Sequence, residues 1–370
     1  MNTSGTRLPA AAAAAAVLAA GVLAACGTND DGGGDSGGGG DKSPTIALLL
    51  PETKTTRYEQ QDRPNFERRV KELCKDCKVA YANANQDPAK QQQQAEAAIT
   101  KGAKALVISA VDVKSAGAIV QRARQAKVPV IAYGRLIPDQ DLDYYVSIDP
   151  FEVGVQQADV LMKKLKADGK DAPRVVMING APTDSNAKPY KDGAAQVLKE
   201  KGAEIVKSYD TPDWSPDKAQ QEMEQAITGL GKGGFKAVYA ANDGTAGGAI
   251  AAMKSAGIKP SERPTTGQDA ELAGIQRILA DEQYMTVYKA IKPEAQKAAE
   301  IAVALVQGKE PTGVDETANN EQKDVPSVLL TPVAVTKDNI NDTVVKDGFW
   351  KASQICTKQY AAACKEAGIE

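Results

Sequence analysis

The chain has 370 residues, a formal net charge of -3 with acidic and basic residues interspersed, and no histidine. That length accommodates two domains once a leader and linker are set aside. The charge balance argues against a nucleic-acid partner, and the missing imidazole removes Ser-His-Asp and Cys-His catalysis and His-ligated zinc.

Arg7 precedes an apolar, Ala-rich run over 10–25. A membrane-spanning helix needs about 20 apolar residues, so this shorter run reads as the core of a secretory signal. It ends in Leu23-Ala24-Ala25-Cys26, which resembles a bacterial lipobox in which Cys26 is acylated and becomes the mature N-terminus. The Gly/Asp/Ser-rich stretch over 27–44 lacks the apolar residues to build a core and reads as a flexible tether. With Cys26 assigned to lipid, Cys74, Cys77, Cys356 and Cys364 remain. An oxidising compartment suits two local disulfides, Cys74 with Cys77 and Cys356 with Cys364. The rival reading of Cys74-Lys75-Asp76-Cys77 is a redox or zinc motif. A redox motif wants a strand before it, whereas a helix is expected here, and zinc would need the two distant cysteines to converge.

From residue 45 onward strands and helices alternate. The continuous apolar run over 45–50 reads as a strand buried on both faces. A helix is expected over 65–74, a strand over 79–82 and a helix from Pro88, where proline is tolerated. A strand over 105–108, a helix over 115–126 and strands over 130–133 and 144–147 complete a first series. The second series has helices over 151–165, 187–201, 216–228, 246–256 and 272–280. Its strands fall over 175–178, 205–208, 237–239 and 285–288. Two such series predict an α/β fold of two doubly wound parallel-sheet lobes. Neither opens with a phosphate-binding glycine loop: Gly244-Thr245-Ala246-Gly247-Gly248 lacks the required spacing and lysine. Ligands of such sheets sit beyond the strand C-termini, which places the site in the cleft between lobes.

The residues following the strands are Glu52 through Arg57-Tyr58, Gly134-Arg135, Thr183 to Asn186, Asp213-Trp214, Asn242-Asp243, Gln268-Asp269 and Lys289. Carboxylates, amides and guanidinium groups pair with vicinal hydroxyls, and an aromatic ring covers the C–H face of a sugar. Taken singly, Asp184 and Asp243 read equally well as turn formers or helix caps, and Trp214, between Pro212 and Pro216, as hydrophobic cover. Seven loops converging on one cleft point to a small sugar.

At these residues the chain resembles the D-xylose-binding proteins of bacterial ABC importers, within the type I periplasmic binding proteins. The resemblance runs from about residue 45 to 349. It is carried by Asn242-Asp243-Gly244-Thr245-Ala246-Gly247-Gly248-Ala249-Ile250, Gly267-Gln268-Asp269-Ala270-Glu271-Leu272-Ala273-Gly274-Ile275, Met285-Thr286-Val287-Tyr288-Lys289 and Asp324-Val325-Pro326-Ser327. It implies ligand contacts at Arg57, Arg135, Asn186, Trp214, Asn242, Asp269 and Lys289, with Tyr58 where the family commonly has Trp. It implies three crossings between lobes, near 147–149, just after Lys289 and near 330–332. The resulting parts are a leader over 1–26, a tether over 27–44, one lobe from 45–148 plus 290–330, and another from 149–289 plus 331–370. It further implies a monomer that closes on its sugar and docks on permease subunits served by a cytoplasmic ATPase. Neither metal nor cofactor is expected, and the lipid on Cys26 holds the chain to the outer face of the membrane. Presentation to a receptor or histidine kinase is the alternative output. One departure stands out: the family usually reads Tyr-Asp-Arg where this chain has Tyr133-Gly134-Arg135. Gly134 removes an acceptor and frees space, which leaves open whether the sugar is a pentose or a larger hexose. The tail beyond Trp350 lies outside the resemblance.

Overall fold

A computed structural model describes residues 43–369; the lipobox with Cys26 and nearly all of the tether lie outside them. The first sheet is built on β1 (Thr45–Leu50), β2 (Lys78–Asn83), β3 (Ala105–Ile108), β4 (Val130–Tyr133) and β5 (Tyr144–Ile148), all paired in parallel. Alternation along a strand sends successive side chains to opposite faces. Ile46, Leu48 and Leu50 therefore join one core and Ala47 and Leu49 another. The first core is covered by α1 (Arg63–Leu73), the second by α2 (Pro88–Thr100) and α3 (Gly117–Gln125). The helix starts follow local chemistry. Asp87 accepts a hydrogen bond from Lys90 N ahead of Pro88, as an N-cap should.

Asp149 caps α4 (Pro150–Ala167), where the chain enters the second lobe. There β6 (Arg174–Asn179), β7 (Glu204–Asp210) and β8 (Ala237–Ala240) form a parallel sheet in the order β7-β6-β8. Val175 and Met177 face α4 and α5 (Ala187–Glu200), while Val176 and Ile178 face α6 (Pro216–Leu230) and α7 (Asp243–Ser255). α8 (Leu272–Leu279) and β9 (Thr286–Tyr288) follow. The chain then returns through α9 (Ile291–Val306), whose Ala295, Ala298 and Ile301 join Phe66 and Val70 of α1 over the first sheet. A hairpin of β10 (Glu316–Asn319) and β11 (Asp324–Leu330) extends that sheet, and β12 (Val333–Val335) pairs with β9.

Two features depart from the sequence expectation. The sheets are not wholly parallel, because the β10–β11 and β12–β9 pairs are antiparallel. Short strands with a half-exposed, polar pattern such as Glu316–Asn319 carry no apolar run by which to read them. The chain from 285–288 also pairs with the returning tail instead of extending the β7-β6-β8 sheet. The tail carries α10 (Ala352–Ile355) and α11 (Ala361–Glu366), with Trp350, Ile355 and Cys364 buried against Ile275 and Tyr288. Disulfides join Cys74 to Cys77 and Cys356 to Cys364. No helix among the described residues is long and apolar enough to cross a membrane, and no cluster of acidic or cysteine side chains there could hold a metal ion.

A π-turn over Tyr58–Asp62 precedes α1, and Arg57, already in helical conformation, leads into it. It brings Arg57 and Asp62, five residues apart, side by side.

Candidate ligand-binding site

Between the carboxyl ends of the two sheets lies a narrow, polar-lined cavity. Arg57, Tyr58, Gly134, Arg135, Asn186, Trp214, Asn242, Asp269 and Lys289, all read from the sequence, line it together.

The wall from the first lobe is held by charge. Arg57 donates through Nε and Nη2 to both oxygens of Asp62, at 2.8 and 2.6 Å, and through Nη2 to Glu294 Oε2 at 2.9 Å. All three side chains are almost fully buried. Two carboxylates on one guanidinium raise its pKa well above the usual arginine value although burial opposes this, while burial pushes the Glu294 carboxyl up. Tyr133 donates its hydroxyl to Asp62 as well. Arg135 donates from Nη1 to Ala110 O at 2.7 Å. Its Nε lies 2.8 Å from Asp184 Oδ2, yet the N–H is not directed at an acceptor, so charge attraction rather than a hydrogen bond joins the pair. Gly134 has φ +70°, a left-handed conformation that glycine adopts without strain.

The wall from the second lobe is held by backbone. Asp213 and Trp214 take φ values of 59° and 53°, and Asp269 and Ala270 take 88° and 46°. Left-handed non-glycine residues of this kind cluster at ligand sites, where surrounding structure compels them. The Trp214 indole lies so close over Gly180 that a Cβ there would come within 2.1 Å of the ring. Its Nε1 donates to Asp184 Oδ2 at 3.1 Å. Trp214 thus serves both as cavity lining and as core, beside Tyr190. Asn242 caps α7, accepting from Thr245 N at 2.8 Å. Lys289 Nζ stands 2.8 Å from Asp269 Oδ1, with Arg57 Nη1 3.7 Å from the same oxygen across the cleft.

Asp243, the other acidic residue at that helix start, does not line the cavity. It accepts from Glu271 N, Thr286 Oγ1 and Gln283 Nε2 at 2.9, 2.9 and 2.6 Å, tying α7, α8 and β9 together. Burial raises its pKa to about 7, and raises that of Glu271, with the nearby acids adding, to about 8. Glu271 Oε1 in turn accepts from Thr56 N of the first lobe at 3.1 Å. Val113 N to Thr183 O at 3.2 Å and Asn186 Nδ2 to Gly134 O bridge the lips further.

The sequence reading did not single out Thr55, Ser109, Tyr133 or Tyr190 as site residues, and for Asp184 it weighed a turn or cap role equally against a place in the site. Ser109 directly follows β3, so the strand-end rule would have found it; Tyr190 lies within α5, where that rule is silent. Ser109 Oγ and Gln268 Oε1, both of cavity-lining residues, are buried without a hydrogen-bond partner, while Arg135 Nε and Asp269 Oδ1 are met by ion pairs alone. Buried polar atoms normally have partners, so two unmet ones beside a space lined by charged side chains point to a polar ligand.

Two doubly wound lobes meeting at a polar cavity lined in part by Trp214, Tyr58 and Tyr190 define a cleft-type small-molecule binding protein. Residues 46–310 match the periplasmic binding protein domain, and the chain belongs to that family. It is 40% identical over 318 residues to the D-xylose-binding periplasmic protein of Escherichia coli, covering 85% of this chain and 93% of that one. Among solved structures, an ABC transporter solute-binding protein from Clostridium phytofermentans with bound β-D-glucose superposes with a TM-score of 0.77. The two are 28% identical, covering 84% of this chain and 99% of that one. A carbohydrate transporter solute-binding protein from Chloroflexus aurantiacus in complex with D-glucose gives 0.76 at 30% identity, covering 84% and 98%.

Proposed function

We propose that this chain is an exported lipoprotein that binds a monosaccharide, xylose or a related pentose or hexose, and delivers it to an ABC permease. The observation that carries the reading is a cavity lined by charged and amide side chains from both sheets, with Ser109 Oγ and Gln268 Oε1 unpartnered and Trp214 and Tyr58 in its lining. Arg57, Arg135 and Lys289 donate to sugar oxygens, Asp269 accepts, and Asn186 and Asn242 do both. Trp214 stacks on the ring, with Tyr58 opposite. The relatives that bind xylose and glucose support a monosaccharide of this size. A ligand touching both walls stabilises only the closed arrangement, so binding shifts a hinge between a lobe of 45–148 plus 290–330 and one of 149–289 plus 331–370. The closed monomer then docks on the permease.

The motif ending at Cys26 supports a diacylglycerol anchor on the outer face of the membrane. Intact-mass analysis of membrane-extracted protein should find Cys26 modified at the mature N-terminus. Tether-free protein should gain several degrees in melting temperature with its sugar. Saturation a hundredfold above Kd adds about 2.7 kcal/mol. Flat calorimetric titrations with every pentose and hexose tried would remove the sugar-binding reading.

A further inference from the structure

α9 carries an acidic side chain to the back of the first wall. Glu294 is about 1% exposed, and only its Oε2 is engaged by Arg57. No described residue donates to Oε1. That oxygen lies 3.7 Å from where a Cβ on residue 134 would stand, and Ser109 Oγ, unpartnered and lining the cavity, lies 3.9 Å from the same point. Gly134 lines the cavity, and a side chain there would stand beside this acceptor–hydroxyl pair.

We propose that Glu294 is a specificity-determining residue of the sugar site, its Oε1 accepting a hydrogen bond from the ligand hydroxyl that lies over Gly134. This rests on the monosaccharide reading above. A carboxylate set back on α9 reaches less far into the cavity than one carried on residue 134 itself. The space over Gly134 therefore suits a sugar with an added hydroxymethyl group, a hexose in preference to a pentose. Ser109 Oγ, able to donate or accept, completes the contact to that hydroxyl.

The experiment is calorimetry on wild type, Glu294→Gln, Glu294→Leu and the double variant Gly134→Asp/Glu294→Leu. The ligands are the tightest-binding monosaccharide and its full set of monodeoxy analogues. In wild type, one analogue should bind about tenfold to a hundredfold more weakly than its parent, as for a lost charged hydrogen bond. In Glu294→Leu overall affinity should fall, because Arg57 loses a buried partner, but that analogue and the parent should then bind alike, whereas the other analogues should still bind more weakly than the parent. Glu294→Gln, with the same shape and one remaining acceptor, should lose less than Glu294→Leu. The double variant should recover binding with the preference moved towards pentoses. Equal analogue penalties in wild type and Glu294→Leu would mean that Glu294 acts only by holding Arg57, and the proposal would be wrong. No binding of any monosaccharide to wild type would instead remove the functional reading, and this inference with it.

Discussion

On one wall of the cavity, Arg57 is fixed by side chains: Asp62, Glu294 and, through Asp62, Tyr133. On the other, Trp214, Asn242 and Asp269 are fixed by left-handed turns, a helix cap and a close approach to Gly180. A wall of paired buried charges fails when one partner is removed, because the rest are left uncompensated. A wall of backbone turns fails when a turn is refilled or unwound.

The most severe break is on the charged side. Arg57→Met strands two buried carboxylates, and by analogy with other broken buried pairs should cost about 3–5 kcal/mol in urea unfolding and abolish ligand binding. A loss no larger than that of a surface substitution would show that this wall does not rely on charge.

The acids behind the second wall give a pH test on the order of a few kcal/mol. Asp243 and Glu271 have native pKa values raised to about 7 and about 8. The native state thus holds protons that the unfolded chain releases near pH 4, so their stabilising contribution is full below that value. It should be lost as pH rises towards about 7 for Asp243 and about 8 for Glu271. Denaturation midpoints should fall across that window, and Asp243→Asn should flatten the slope up to about pH 7. A slope unchanged by Asp243→Asn would exclude its role.

Refilling a turn is smaller. Gly180→Ala would push the Trp214 ring aside, since the added carbon meets it at 2.1 Å. Overpacking of this kind costs about 1–3 kcal/mol, and sugar affinity should fall with stability. Stability alone falling would separate Trp214 as core from Trp214 as ligand contact. Smallest is Asn242→Ala, which removes a helix cap worth about 1 kcal/mol. If Asn242 also meets the sugar, affinity should drop further than Asn242→Asp, which keeps the cap, accounts for.

The strand-end rule made much of this legible, because a parallel sheet delivers its functional residues at one end of every strand. The segments holding Arg57, Arg135, Asn242 and Asp269 were readable from that position, and the resemblance picked out these residues within them. Glu294 and Tyr190 sit within helices, where nothing in the sequence distinguishes an inward polar residue from a solvated one. The β10–β11 hairpin was invisible for a related reason: its edge strand is largely exposed and has no apolar alternation. Gly134 was visible as a departure, but what stands behind it depends on the packing of α9, 160 residues later.

The π-turn has a bearing on how such chains change length. In an α-helix, residues four apart share a face and those five apart do not. Widening the turn over Tyr58–Asp62 lets Arg57 meet a carboxylate five positions on. Deleting one residue between them would rewind the turn to ordinary α-helix, with the same two side chains now four apart and still facing each other. A one-residue deletion here is absorbed as a change of winding and keeps the pair, whereas a single substitution at either end destroys it.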